Sequence, residues 1–217
     1  MIQSQLIPNA QFNEALNSEN SGDNDSLDMC FMDQSHSDIF IEVNKPGKYK
    51  ADALVTKNKN LPLVVLTADC MPVLISDDEK IGVIHIGWKG LENNIFYKTI
   101  SSFNLQNLKV SIGPHAQKCC YEVKEDLESK FSEYCLRVEN KIYLDLSKEI
   151  KEFCLENNIG IEIATSFDIC SPITMDNSDI NGTKILITMD LYFSSLNDCV
   201  ALAIIIIVTE KGNAQAL

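Results

Sequence analysis

The chain has 217 residues, 45% of them hydrophobic, which is enough for one sizeable core and excludes a wholly disordered polymer. Its 31 acidic residues against 18 basic ones leave a formal charge of −13. Binding to a phosphate backbone needs clustered Lys and Arg, so a nucleic-acid partner is excluded.

Residues 1–15 carry neither a basic start nor an apolar run, so no secretory signal is read there. Residues 16–28 are polar and turn-rich and read as a loop. Asp38–Val43 reads as a strand closed by Asn44-Lys45-Pro46-Gly47. Ala53–Thr56 is short and β-branched, and Leu61–Thr67 is a continuous apolar run typical of a buried strand. Val73–Ser76 and Ile81–Ile86 flank Asp77-Asp78-Glu79-Lys80, the length and chemistry of a tight turn. Leu91–Phe103 has helical spacing of its apolar residues, and Lys109–Ile112 is a strand ending at Gly113-Pro114. Glu125–Cys135 and Ser147–Asn157 are expected helices, the second capped by Ser147. Ile159–Ala164, Lys184–Thr188 and Val200–Val208 are further strands. The nine-residue apolar run Val200–Val208 is too short for a membrane helix, which needs about 20 residues, so no membrane partner is expected. No repeat or linker is visible, and residues 1–217 read as a single α/β domain. With no signal, the eight cysteines are expected to be reduced, mostly buried thiols in a cytoplasm.

Three patches carry chemistry: Asp33-Gln34-Ser35-His36-Ser37, Leu66-Thr67-Ala68-Asp69-Cys70-Met71-Pro72, and Val83-Ile84-His85-Ile86-Gly87-Trp88-Lys89-Gly90. They hold two of the three histidines. Two neutral imidazoles and one thiolate suit zinc, with a fourth position open to water or substrate. The same side chains would also make a cysteine nucleophile with a histidine base. Cys70 follows a strand and precedes Pro72, His85 ends a strand, and His36 immediately precedes one. Sheet ends hold reactive groups rigidly.

The strings Asp52-Ala53-Leu54-Val55-Thr56, Thr67-Ala68-Asp69-Cys70-Met71-Pro72, His85-Ile86-Gly87-Trp88-Lys89-Gly90 and Ile112-Gly113-Pro114, then Cys120-Tyr121-Glu122-Val123, resemble in order the laccase-domain (YfiH-type) family, also called multicopper polyphenol oxidase-like. The resemblance covers about residues 30–170. It implies a single-domain, mixed-sheet α/β sandwich akin to the catalytic domains of deamidating bacterial toxins. It also implies a metal site of His36, Cys70 and His85, taken as zinc and formerly as copper. The implied chemistry is phosphorolysis of adenosine, inosine and methylthioadenosine, with adenosine deamination alongside. Peptidoglycan editing is the runner-up function in the family. Three histidines are too few for a multicopper oxidase, whereas a metal-free amide hydrolase with Cys70 as nucleophile and His85 as base stays open.

Asp69 is then a candidate proton shuttle or a cap for the following turn. Lys89 is the best-placed cation for phosphate, at a position where the family carries Arg, and Lys lacks the bidentate fork. Trp88 either stacks on a base or packs the core. Tyr121 is expected to shape the substrate pocket, with Glu122 as a possible acid and Cys170 as a pocket wall. Of the adjacent Cys119 and Cys120, at most one is expected to face the pocket if they lie in a strand. His115 is expected at the surface or pocket rim. The resemblance departs at residues 191–200, which lack the arginines the family carries there; Arg137 is the only arginine in the chain. A weaker or different grip on the anion is expected.

Overall fold

The computed structural model describes residues 2–14, 29–164 and 204–208. Its strands are β1 (Ile2–Gln3), β2 (Ala10–Glu14), β3 (Cys30–Met32), β4 (Phe40–Glu42), β5 (Gly47–Tyr49), β6 (Ala53–Thr56), β7 (Leu63–Val64), β8 (Leu66–Thr67), β9 (Met71–Ser76) and β10 (Ile81–Ile86). Helices α1 (Trp88–Glu92) and α2 (Ile95–Ile100) follow, then β11 (Lys109–Ile112), β12 (Glu122–Val123), α3 (Glu125–Lys130), β13 (Cys135–Val138), β14 (Lys141–Leu144), α4 (Lys148–Glu156), β15 (Gly160–Ile163) and β16 (Ile204–Val208).

The frame is a six-stranded mixed sheet in the order β15-β11-β9-β10-β6-β4. Its centre is the β9–β10 hairpin, paired from Ile81↔Ser76 to Ile86↔Met71. Asp77 makes the turn: its Oδ1 accepts the amides of Glu79 at 2.8 Å and Lys80 at 2.6 Å. Both faces of the sheet are covered, which is why these strands read as unbroken apolar runs and not as alternating ones. Met71, Val73, Ile75, Ile84 and Ile86 pack on one face with Ile95, Phe96 and Ile150 of the helices. Leu54, Leu74 and Val83 pack on the other face with Ile7, Phe12 and Leu63. A four-stranded sheet (β1-β2-β16-β8) and two three-stranded sheets (β12-β14-β13 and β5-β3-β7) complete the fold, a mixed α/β architecture.

Gly113 shows how tightly the second face closes. A Cβ there would stand 2.2 Å from the Phe12 ring and 2.8 Å from Pro72, so the Gly113-Pro114 corner needs glycine for packing.

Several expectations are corrected. Leu61–Thr67 is not one strand: β7 pairs with β3, while β8 pairs with β16 in another sheet. The break falls at Val65, and the side-chain amide of Gln34 brackets Leu66 at the start of β8, accepting its N–H at 3.0 Å and donating to its carbonyl at 2.7 Å. The expected helix over Leu91–Phe103 is two helices that start earlier, broken at Asn94, whose φ is 60°. The expected helix over Glu125–Cys135 stops at Lys130, and Cys135 opens strand β13 instead. Ser147 stands at the N-cap of α4, but its hydroxyl donates to Asp145 Oδ1 at 2.7 Å and does not cap the helix. The loop read at residues 16–28, the strand read at 184–188, Cys170 and residues 191–200 lie outside the described residues. No helix among the described residues is long and apolar enough to cross a membrane.

Candidate metal centre

Strand register builds the site. Ile84 pairs with Ala53 across β10 and β6, so His85 follows opposite Asp52, and the His85 amide donates to the Asp52 carbonyl at 2.7 Å. Neighbours across a strand pair share a face, so both side chains point the same way. On the other side of β10, Ile86 pairs with Met71, which sets Gly87 beside Cys70. Three chain segments thus deliver Asp52, His85 and Cys70 to one end of the sheet.

The loop before β4 adds His36. Its Nε2 lies 3.6 Å from Cys70 Sγ, and its ring meets that of His85 edge-on, with centroids 4.8 Å apart. One ligand atom from each of His36, Cys70 and His85 falls within 4.8 Å of the others. His36 has φ of 58°, a left-handed conformation costing a non-glycine residue about 1 kcal/mol. The fully buried Asp52 offsets that cost. Its carboxylate accepts the amides of Ser35 at 3.2 Å, His36 at 3.1 Å and Ser37 at 2.7 Å, together with the Ser37 hydroxyl at 2.6 Å. It also bonds His85 Nδ1 at 2.8 Å.

The electrostatics match a cation site. Burial alone would push the Asp52 carboxyl up, but donation from His85, Ser37 and the Ser35 amide holds it well below the usual carboxylate range. Burial and the neighbouring His85 lower the His36 pKa, with Asp52 opposing and Lys89 adding to the shift. A neutral imidazole is the ligating form. Burial, then Asp69 and Asp52, pushes the Cys70 thiol up to about 11. Such a thiol is no free nucleophile at neutral pH, but a coordinated cation would deprotonate it.

The donors fit a metal in a further respect. A Cβ at Gly87 would stand 2.9 Å from Cys70 Sγ and 3.1 Å from His36 Cδ2, so the space beside these two donors exists only because residue 87 is glycine. Two imidazoles and a thiol, one imidazole backed by a carboxylate, are the donor and supporting groups of a zinc or copper centre.

Around this cluster the other expected residues are placed as follows. Asp69 is exposed beside Cys70, and its carbonyl accepts the Ala116 amide at 3.0 Å. Trp88 is half-buried against the core, with the ammonium groups of Lys89 and Lys130 at 5.5 and 5.9 Å from its ring. The exposed Lys89 is near enough to influence His36. Tyr121 packs beside the core, and burial followed by the nearby Cys70 pushes its hydroxyl up to about 12. Glu122 is an exposed partner of Lys141 at 2.7 Å. Cys119 and Cys120 lie in a turn and not a strand, so the alternating-face argument does not apply to them. His115 is buried, not at a rim: only 2% exposed, it bonds the Gly113 carbonyl through Nδ1 at 2.7 Å. Arg137, on β13, is engaged by Glu128 of α3.

Reading the sequence missed the role of Asp52. The available signal was its register: an acid one residue before an apolar strand, facing a histidine at the end of another.

A His-Cys-His cluster at the end of a two-faced α/β sheet defines a protein with a candidate metal centre. Residues 11–177 match the family described as multi-copper polyphenol oxidoreductase laccase, and the chain belongs to that family. It is 35% identical over 146 residues to a purine nucleoside phosphorylase of Clostridium acetobutylicum, covering 61% of this chain and 62% of the relative. It is 32% identical over 145 residues to a purine nucleoside phosphorylase of Aquifex aeolicus, covering 64% and 70%. The solved structure of YlmD from Geobacillus stearothermophilus is similar in fold, with a TM-score of 0.59 and 18% identity over 84% of this chain and 74% of that one. Protein YfiH of Bacillus licheniformis gives a TM-score of 0.55 at 24% identity, covering 63% and 62%. The chain thus spans less than two thirds of the Clostridium relative.

Proposed function

We propose that this chain is a zinc-dependent purine nucleoside phosphorylase acting on adenosine, inosine and S-methyl-5'-thioadenosine, with adenosine deamination as a side activity. The observation that carries the reading is the convergence of His36, Cys70 and His85 on one point, with Asp52 behind His85. Relatives named purine nucleoside phosphorylase support the substrate class. Bound zinc supplies Lewis acidity and an activated water at this cluster.

The chain's own groups do the rest. Asp52 keeps His85 oriented, so that its Nε2 serves as the donor. Lys89 is the cation offered to phosphate as the glycosidic bond breaks, and the Trp88 ring beside it offers a face to the purine. The departing base needs a proton, and Asp69 is an exposed carboxyl available to carry it. Tyr121 walls the pocket on the Cys70 side.

Copper polyphenol oxidation is disfavoured because the chain has three histidines, and His115 is committed to Gly113. The metal-free amide hydrolase, the activity that would serve peptidoglycan editing, has the Asp52–His85 pair in its favour. It needs a readily ionised thiol, and the environment of Cys70 works against one.

The test is phosphate-dependent release of free base from the three nucleosides, with and without chelator, alongside metal content by mass spectrometry. Release that needs both phosphate and metal supports the reading. Release indifferent to chelator, or oxygen uptake with phenols in its place, overturns it.

A further inference from the structure

We propose that Asp52 is the positioning residue of this centre, a single buried carboxylate that sets the tautomer of His85 and pins the His36 loop at the same time. The inference rests on the metal reading of His36, Cys70 and His85 given above.

An ionised carboxylate only accepts hydrogen bonds, and it has about four lone-pair sites. Asp52 has five donors arranged around its two oxygens. Oδ1 takes His85 Nδ1 at 2.8 Å and the His36 amide at 3.1 Å. Oδ2 takes the Ser35 amide at 3.2 Å, the Ser37 amide at 2.7 Å and the Ser37 hydroxyl at 2.6 Å. Facing an acceptor, His85 Nδ1 must carry the ring proton, which leaves the lone pair on Nε2. The tautomer is therefore fixed before any metal arrives. The three successive amides 35–37 form a concave donor array closed by the same carboxylate, which holds His36 in its left-handed conformation. One side chain thus couples two ligands that lie 49 residues apart in sequence.

Asp52→Asn separates positioning from packing, because the amide is isosteric. The Ser35 and Ser37 amides can only donate, so they hold the remaining oxygen on their side. The new NH₂ group then faces His85 Nδ1 and makes it accept. The ring proton moves to Nε2, the atom that should coordinate. The His36 amide also loses its acceptor.

The experiment uses the full chain. Imidazole ¹⁵N NMR on metal-free wild-type protein should show His85 protonated at Nδ1, and in Asp52→Asn it should show the proton on Nε2. Zinc competition against a chromophoric chelator should show about 10–100-fold weaker binding in the variant, with circular dichroism confirming that the fold is kept. Wild-type His85 protonated at Nε2, or equal zinc affinity in the two proteins, overturns the proposal while leaving zinc binding in place. A wild-type protein that binds no zinc overturns the metal reading and this inference with it. Should Asp52→Asn not fold, the wild-type tautomer decides alone.

Discussion

Cys70 and Gly87 stand opposite one another just beyond the last pair of the β9–β10 hairpin, and a Cβ on Gly87 would lie 2.9 Å from the Cys70 sulfur. Gly87 has φ of −97°, a value any residue adopts, so glycine is required there by space and not by backbone. Gly87→Ala should leave the metal-free fold intact and crowd both Cys70 and His36. Overpacking of this kind costs about 1–3 kcal/mol, which at this position falls on metal affinity. A zinc titration should show binding weakened by about tenfold or more, since 1.4 kcal/mol is a factor of ten. Unchanged affinity would mean that the space beside the sulfur is not used by a ligand.

The three donors should differ in what their removal does to the fold. His36→Ala, Cys70→Ala and His85→Ala should each lower metal content and abolish activity. His36 is exposed, so its loss should leave thermal stability nearly unchanged. His85 is buried against Asp52, and its removal leaves a carboxylate without one of its donors, costing about 1–3 kcal/mol. Metal analysis and melting curves on the three variants test both statements. Full occupancy in all three would sink the ligand assignment.

Much of this was readable from residues alone. The β9–β10 hairpin was legible because an acidic turn sits between two apolar runs, and β6, β11 and β15 because short β-branched segments end at polar or glycine-containing turns. His36, Cys70 and His85 were legible as donor types. Asp52 was not, because its role depends on which strand lies beside it, and register is a property of two segments at once. The break at Asn94 was hidden because the apolar spacing on either side of it stays helical, and only the left-handed backbone at that residue ends α1. The split of Leu61–Thr67 was hidden for a different reason. The Gln34 side chain, 32 residues away, holds both backbone groups of Leu66, the residue just after the break at Val65. β13 was misread because Leu136 and Val138 are exposed apolar residues, a pattern that points to no buried face.

Lys89 should act on phosphate and not on metal. Its ammonium lies beside Trp88 and near His36. Lys89→Ala should raise the KM for phosphate by about 10- to 150-fold, in line with about 1.5–3 kcal/mol for a hydrogen bond to a charged group. Zinc content should stay at the wild-type level. Lys89→Arg should retain phosphate use, and added salt should weaken phosphate binding in the wild type more than in Lys89→Ala. A Lys89→Ala enzyme with unchanged phosphate KM would move the anion site elsewhere.

His115 gives the fold an acid-sensitive point away from the ligands. Burial drives its pKa from 6.5 down to about 4, opposed by its bond to the Gly113 carbonyl and by Asp145. In the unfolded chain the same ring titrates near its ordinary value. Between pH 6.5 and 4 the unfolded state therefore binds more protons, and stability falls as pH falls. The contribution is complete above about pH 6.5 and gone below about pH 4, and its size is about 3 kcal/mol. Asp52, whose carboxyl is also depressed, begins to lose its contribution as pH falls through the ordinary carboxylate range of about 4 and goes on losing it below, so its window follows that of His115. Denaturant titrations of metal-free protein from pH 7 to pH 4 should show the wild type losing stability across this window. His115→Gln should flatten that slope, starting from a lower stability at pH 7 because the Gly113 carbonyl keeps a poorer partner. A variant with the full wild-type slope would assign the acid sensitivity to another group.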